Sequence, residues 1–84
     1  MLWLDVKPWI LFAMNRLGEK LRTLRKQQSL SQAELSDMLG VSQRHVSGIE
    51  RGEKVPSLEI LLKISRIFDV SSDQLIKDEL ELED

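Results

Sequence analysis

The sequence predicts a small all-α domain of five short helices, and three observations lead to this fold class. Apolar residues recur at helical spacing over most of residues 15–77, and no segment rich in Val, Ile and Thr alternates like a strand. Serines that start capping boxes occur at Ser31 and Ser71. The length of 84 residues allows one domain only, with a thin core that self-association would help.

The composition excludes several classes of function. The chain has no Cys, which excludes disulfides, thiol nucleophiles and cysteine-based zinc sites, and its single His excludes two-His metal sites. Its carboxylates are scattered along the predicted helices, and no Gly-rich phosphate loop is present. We therefore expect neither an enzyme nor a bound cofactor or metal.

The net charge of −2 conceals three unlike segments. Residues 15–77, the body, carry 11 Lys and Arg against 8 Asp and Glu, residues 78–84 add five acids, and residues 1–14 are neutral. The net charge of the whole chain argues against a nucleic-acid partner. The body by itself is basic, however, and this favours such a partner. The acidic tail is either simply solvated or screens the body from nonspecific polyanions.

Residues 1–14 form an apolar extension, with 11 apolar residues and both Trp of the protein. The segment is shorter than the about 20 residues of a membrane span, and it lacks the features of a secretory signal. Three hypotheses remain: it folds back over the fourth or fifth helix, it docks on a partner chain and enlarges a dimer, or it is a translated leader that precedes Met14. We expect no membrane contact and a cytoplasmic location.

The first predicted helix runs from about Asn15 to Gln28. Leu17, Leu21 and Leu24 form its apolar stripe. The pattern assigns the basic residues to the rest of its surface: Lys20, Arg22, Arg25 and Lys26.

The second and third predicted helices are separated by a very short turn. The capping box from Ser31 to Glu34 starts the second helix, and Gly40 ends it. Ser42 caps the third helix, which runs to about Arg51 before Gly52. The apolar face of the second helix is Leu35, Met38 and Leu39.

The fourth predicted helix, from about Leu58 to Phe68, is apolar more than halfway around. One stripe is Leu58, Leu61, Leu62 and Phe68, and the other is Ile60, Ile64 and Ile67. A capping box from Ser71 to Gln74 starts the fifth helix, with Leu75, Ile76 and Leu80 directed inward.

Residues 32–51 meet the steric demands of two helices joined by a tight turn. Ser36 is the small residue that allows close approach, and Gly40 follows it in the turn. This is the spacing of a DNA-binding helix-turn-helix. The inward-facing aliphatic residues are Leu35, Leu39, Val41, Val46 and Ile49.

Over about residues 16–77 the chain resembles the phage Cro and repressor-type helix-turn-helix family, also called Xre-like. The resemblance implies a five-helix, lambda-repressor-like DNA-binding domain, with the apolar extension outside the family pattern. Ser36 departs from the Ala that the family prefers, but it is small enough for the turn. The motifs that carry the resemblance are Gln32-Ala-Glu-Leu35, Leu39-Gly-Val-Ser42, Val46-Ser-Gly-Ile-Glu-Arg-Gly52, Pro56-Ser-Leu58 and Val70-Ser71.

The resemblance also implies roles for individual residues, because the third helix of the family enters the major groove. Arg25 and Glu50 would tie the first helix to the third. Gly48 either allows close approach of DNA or answers a packing need. The expected base readers are Gln43, Arg44 and Ser47, and the expected backbone contacts are Gln32, His45 (on the groove or the flanking phosphates), Arg51 and Lys54.

The function that this implies is a sequence-specific transcriptional regulator, either a repressor or an autoregulator. A symmetric homodimer on a palindromic operator would read two half-sites about 34 Å apart. Residues 47–51 are also similar to controllers of restriction-modification operons. The alternative is an antitoxin or an interaction adaptor that engages its partner through residues 1–14. The expected dimer face is Ile60, Ile64, Ile67 and Ile76.

Overall fold

The computed structural model of the protein describes residues 16–77 and residue 82. This part of the chain folds into five α-helices and contains no strand, which confirms the predicted fold class. The helices are α1 (Leu17–Gln27), α2 (Gln32–Leu39), α3 (Gln43–Glu50), α4 (Leu58–Phe68) and α5 (Ser72–Ile76).

Four of these helices begin at a serine that caps the first turn. The hydroxyl oxygen of each cap accepts a hydrogen bond from the backbone N–H of the third helical residue. Two of the caps are complete capping boxes, since Glu34 and Gln74 accept the backbone N–H of the cap residue at 2.8 and 3.0 Å. The predicted helix starts are therefore confirmed. The four capping residues are Ser31, Ser42, Ser57 and Ser71.

The hydrophobic core lies where the five helices meet. α2 and α3 pack against each other, α1 contacts α3 and α5, and α4 contacts α2 and α5. Every helix contributes at least one side chain with no exposed surface, which anchors the short α3 firmly to the rest of the domain. These fully buried apolar residues include Leu21, Leu35, Leu39, Val46, Ile64 and Leu75.

Two basic residues of α1 that the helical stripe assigns to the surface are buried instead. Arg25 is 9% exposed, and Lys20 is only 1% exposed. The Nζ of Lys20 donates to the carbonyl oxygens of Gln74, at 2.5 Å, and Lys77, at 2.7 Å. The last carbonyls of a helix lack intrahelical partners and carry the negative end of its dipole, so this ammonium stabilises the end of α5.

The dimer face expected from the sequence is wrong at two of its four residues. Ile60 is 8% exposed and Ile64 is fully buried, because both pack against helices of their own chain. A side chain in the core of one protomer cannot also cover a partner. Ile67 and Ile76 are half-buried at the edge of the same core.

The exposed apolar surface of α4 belongs to the other predicted stripe. Leu58 is 70% exposed and Leu62, one turn later on the same helix face, is 39% exposed. Val55, in the segment that precedes α4, is 65% exposed. We call these three residues the α4 apolar patch.

Both terminal segments fall largely outside the described part of the chain. The hypotheses on residues 1–14, the acidic tail at residues 78–84 and the inward position of Leu80 concern residues that the structure does not describe, except Leu82. Leu82 is half-buried against the core. Among the described helices, none is both long enough and apolar enough to cross a bilayer.

Candidate nucleic-acid interface

The turn between α2 and α3 is held by a small residue and a left-handed glycine. Gly40 has φ of +76°, a conformation that glycine adopts without strain. The backbone N–H groups of Gly40 and Val41 both donate to the carbonyl oxygen of Ser36, at 2.9 and 3.0 Å. Ser36 is 4% exposed, and its hydroxyl donates to the carbonyl oxygen of Ala33 at 2.7 Å, so the serine fits this buried position with its polar atom satisfied.

The structure brings Arg25 and Glu50 together as a buried two-pronged ion pair. Arg25 Nε lies 2.7 Å from Glu50 Oε2, and its Nη2 lies 3.1 Å from Oε1. The side chains are 11% and 4% exposed. Arg25 Nη1 also donates to the carbonyl oxygen of Leu30 at 2.8 Å. The end of α3 is thereby tied to the end of α1 and to the chain that leads into α2.

Gln32, expected to hold a phosphate at the start of α2, joins this network. Its Nε2 donates to Glu50 Oε1 at 3.1 Å, and the residue is half-buried. Glu50 therefore accepts hydrogen bonds from both α1 and α2. The amide group of Gln32 is oriented by α3, whose outer face carries the expected base readers.

Gly18 is a second element of this joint, and the sequence analysis missed it. A Cβ built on Gly18 would lie 2.5 Å from the carbonyl oxygen of Glu50 and would also overlap that of Ile49. The backbones of α1 and α3 therefore approach too closely for any side chain at this position. A glycine inside a predicted amphipathic helix was the available signal, because such a residue costs about 1 kcal/mol in helix propensity relative to Ala.

The outer face of α3 presents polar side chains from its first turns. Gln43 and Arg44 are exposed, and His45 and Ser47 are half-buried. Ser47 follows Gln43 by four residues and so lies on the same helix face. The expected base readers are therefore brought together on one surface, opposite the buried Val46 and Ile49.

The loop after α3 folds back over the C-terminal end of that helix. The backbone N–H groups of Glu53 and Lys54 both donate to the carbonyl oxygen of Gly48, at 2.8 and 3.2 Å. A Cβ on Gly48 would lie 2.9 Å from the Cδ of Lys54. The neighbour of Gly48 is thus a flexible side chain, and both explanations for this glycine, close approach of DNA and a packing need, stay predictions. The Lys54 stem covers Gly48, and Lys54 is exposed.

Arg51 makes contacts within its own chain that the sequence did not predict. Its Nε and Nη2 donate to the two carboxylate oxygens of Glu53 at 3.1 and 3.0 Å, and its Nη1 donates to Ser47 Oγ at 2.7 Å. The hydrogen bonds with Glu53 raise the pKa of Arg51, and the same hydrogen bonds lower the pKa of Glu53. Glu53 was not among the expected site residues.

The hydrogen bonds with Glu50 likewise raise the pKa of Arg25, even though burial acts in the opposite direction. The guanidinium thus stays charged in the interior, and the joint is an ion pair rather than a neutral contact.

In the described part of the chain, no three His, Cys, Asp or Glu side chains lie where they could share a metal ion.

The profile of the helix-turn-helix family matches residues 21–75, and the chain belongs to this family. Repressor protein C2 of Salmonella phage P22 is 41% identical over 64 residues, which cover 76% of this chain and 30% of the repressor. SinR of Bacillus subtilis, an HTH-type transcriptional regulator, is 34% identical over 68 residues, or 80% of this chain and 61% of SinR. The chain spans between 16% and 61% of the length of such curated relatives.

Solved structures with the same fold include the P22 c2 repressor in complex with a synthetic operator. That structure has a TM-score of 0.71 and 40% identity, covering 75% of this chain and 96% of the solved one. The restriction-modification controller C.AhdI of Aeromonas hydrophila has a TM-score of 0.65 and 35% identity, covering 71% and 91% of the two chains. The family identified from the sequence motifs is therefore confirmed.

Proposed function

We propose that this protein is a transcriptional regulator that binds double-stranded DNA and reads its sequence with α3 in the major groove. The observation that carries the proposal is the two-sided character of α3. One side is locked to α1 and α2 by Glu50 and by the buried Val46 and Ile49, whereas the other presents Gln43 and Arg44 to solvent. A helix that enters a groove needs both a rigid mount and a free polar face.

The chemistry of the exposed face fits the edges of base pairs. A glutamine amide pairs with adenine through two hydrogen bonds, and an arginine guanidinium does the same with guanine. Each good pair contributes about 1–3 kcal/mol of discrimination. Gln43 and Arg44 are therefore the proposed base readers, and Ser47 joins them one turn later.

Around this face lie groups suited to the sugar-phosphate backbone. His45 follows the base readers on α3, Lys54 lies in the loop beyond it, and Gln32 stands at the first residue of α2. The N-terminus of a helix attracts phosphate through its free N–H groups and dipole. Contacts of this kind fix the register of a protein on DNA without reading sequence.

Regulators that are similar to this chain point in the same direction. Their names describe transcriptional regulation or repression, and one of the solved structures holds an operator. A repressor, an autoregulator and a restriction-modification controller would all use the same reading helix, α3. Such a regulator would act in the cytoplasm of a bacterium or of a phage-infected host.

We further infer that the protein binds DNA as a homodimer, with the α4 apolar patch as the interface. Leu58 and Leu62 expose apolar surface on one face of α4, and covering such surface with a second copy is favourable. The patch follows directly after the loop of α3, so a symmetric contact there sets the distance between the two reading helices. A palindromic operator with half-site centres about 34 Å apart would match this arrangement.

The proposed function is tested by selecting bound sequences from a random duplex pool with the full chain. We expect a palindromic consensus, and an affinity for it that falls steeply as salt concentration rises, because bound phosphates release counterions. A single-stranded oligonucleotide of the consensus sequence serves as the control. Absence of any enriched sequence, together with salt-independent binding, would exclude the function.

The dimer is tested separately with L58E/L62E. Two charges in the patch should turn the dimer into a monomer by sedimentation equilibrium and weaken binding to the palindrome more than to a single half-site. M38E is the control for a charge added to exposed apolar surface on another helix, since Met38 is 49% exposed and lies on α2. An unchanged mass for L58E/L62E would move the interface elsewhere.

The antitoxin or adaptor alternative depends on residues 1–14, which lie outside the described part of the chain. Deleting residues 1–13 and comparing the dimer mass and the thermal stability tests the hypotheses on this segment. A change in stability supports folding back over the domain, and a change in mass supports docking on a partner chain. No change in either would favour the leader hypothesis.

A further inference from the structure

Three side chains at the end of the reading helix form a hydrogen-bonded chain. The Glu53 carboxylate accepts from Arg51 Nε and Nη2 at 3.1 and 3.0 Å, and Arg51 Nη1 donates to Ser47 Oγ at 2.7 Å. Ser47 is one of the proposed base readers. These hydrogen bonds therefore link the loop after α3 to the surface that would meet DNA.

The loop backbone holds these three hydrogen-bonded side chains in place. Glu53 N–H donates to the carbonyl oxygen of Gly48 at 2.8 Å, and Gly52, with φ of +78°, makes the reversal of direction possible. The stem of Lys54 lies over Gly48 and closes the loop on the helix. The backbone of Glu53 is thus fixed, although its side chain is 60% exposed.

The guanidinium of Arg51 makes most of its hydrogen bonds within the protein. Three of its five N–H donors bond to Ser47 and Glu53, and the carboxylate pairs with the guanidinium. The carboxylate offsets part of the charge that Arg51 would present to a phosphate, although the Arg51 side chain is 57% exposed. This differs from the backbone contact that the family resemblance implies for Arg51.

The hydroxyl of Ser47 is biased by the same contact. A charged donor on Oγ occupies one lone pair and polarises the hydroxyl, which strengthens its O–H as a donor to a further acceptor. In the major groove the acceptors are purine N7, guanine O6 and thymine O4, whereas cytosine offers an amino donor. A serine held in this way distinguishes acceptor edges from donor edges.

We propose that Arg51 and Glu53 are positioning residues that hold Ser47 as a hydrogen-bond donor to an acceptor atom on a base edge. The inference rests on the proposed DNA-binding function and assigns Arg51 a role in sequence preference instead of phosphate binding. Glu53 becomes part of the recognition surface without touching DNA. Cytosine is disfavoured at the position that Ser47 reads.

The test is the variant R51Q/E53Q, which removes the pair while the net charge of the protein is unchanged. We expect the selected consensus to lose its preference against cytosine at one position per half-site, and affinity for the wild-type consensus to fall about 3- to 10-fold, the range of one lost hydrogen bond. The slope of log affinity against log salt concentration should stay unchanged. If Arg51 binds phosphate instead, binding to all sequences weakens equally, and the slope falls by about 0.9 for each phosphate that is no longer neutralised.

The variant S47A provides an independent arm, because it removes the hydroxyl and leaves the ion pair. We expect S47A to relax the same position, and R51Q/E53Q to have no additional effect on base preference in the S47A background. Additive effects of the two changes, or an unaltered preference in S47A, would overturn the proposal. S47T, which keeps a hydroxyl, should retain the preference.

The control is D73N/K77Q, which removes a surface ion pair, with an N–O distance of 3.9 Å, between Asp73 on α5 and Lys77 just beyond its end. It should change neither base preference nor salt slope. Thermal melts of all variants check that the domain is folded. If the wild-type chain binds no duplex, the proposed function itself fails, whereas wild-type binding with a uniform loss in R51Q/E53Q contradicts only the role of Arg51.

Discussion

The joint between α1 and α3 and the outer face of α3 use the same kinds of residue in opposite ways. In the joint, Arg25 is buried and its donors are taken by Glu50 and a backbone carbonyl. On the outer face, Arg44 is exposed, and Gln43 beside it is exposed as well. A short helix can serve as a rigid reader only when one of its sides is committed to stability. Substitutions should therefore separate cleanly into those that unfold the domain and those that alter DNA binding alone.

The largest effect is expected for R25M. Because Glu50 is 4% exposed, loss of its partner leaves a buried charge uncompensated, and the free energy of unfolding should fall by about 3–5 kcal/mol. Urea and thermal unfolding measure this loss. R22M, at an exposed position of the same helix, should stay within about 0.5 kcal/mol of the wild type. Equal stability of the two variants would show that the pair does not hold the joint.

A smaller loss of stability is expected for G18A. Alanine in a helix normally stabilises by about 1 kcal/mol over glycine, but here its Cβ would overlap backbone carbonyl oxygens of α3. We expect a net destabilisation of about 1–3 kcal/mol in urea unfolding. G48A is the matched comparison, because its Cβ would meet the flexible stem of Lys54, which can move aside. A G18A variant that is no less stable than G48A would contradict the close approach of α1 to α3.

On the outer face, R44A should leave the unfolding midpoint unchanged and alter binding. Removing one base reader should relax the consensus at one base pair per half-site, with a loss of about 1–3 kcal/mol of discrimination there. Competition binding with single-base variants of the selected duplex measures it. R66A, an exposed arginine on α4, is the control. Uniform weakening over all sequences would reassign Arg44 to the backbone.

The smallest effect on stability is expected at the start of α2, the helix that holds α3 through Gln32 and Glu50. Hydrogen bonds from the backbone N–H and the hydroxyl of Ser31 lower the pKa of Glu34. A carboxylate whose pKa is lower in the folded state stabilises the fold above its unfolded value, about 4.3, and this contribution disappears as pH falls through the folded pKa.

We therefore expect the wild type to be slightly more stable than E34Q at pH 7, and the difference to vanish at pH values well below 4. Thermal melts across that range measure it. The capping box at Ser71 already has an amide, Gln74, in the equivalent place, which shows that this geometry is compatible with glutamine. A difference that is constant with pH would mean that the charge of Glu34 plays no part.

The sequence predicted the helices well and the site in part. The serine caps and the glycine in the turn act through hydrogen bonds and dihedral angles within a few residues, so their patterns are visible in the sequence itself. The family motifs then located α3 and paired Arg25 with Glu50. The contact of Glu53 with Arg51 was missed, because it depends on a loop that folds back onto α3.

The burial of charged and apolar side chains was predicted less well. Lys20 and the carbonyl oxygen of Gln74 are 54 residues apart, and no local pattern joins them. On α4, two apolar stripes were visible, but their periodicity does not say which one faces the core. The structure buries Ile64 and exposes Leu58, which moves the proposed dimer interface.

By itself, then, the sequence determined an all-α helix-turn-helix protein, since periodicity, caps and turn residues are local properties of the chain. Only the tertiary structure decided that Lys20 is buried at the end of α5 and which apolar stripe of α4 faces the core. It also decided that Gly18 must lack a side chain, and that Arg51 is engaged by Glu53 and Ser47. These outcomes depend on contacts between elements distant in the chain or on how a loop packs against its helix, and such contacts exist only once the helices have packed.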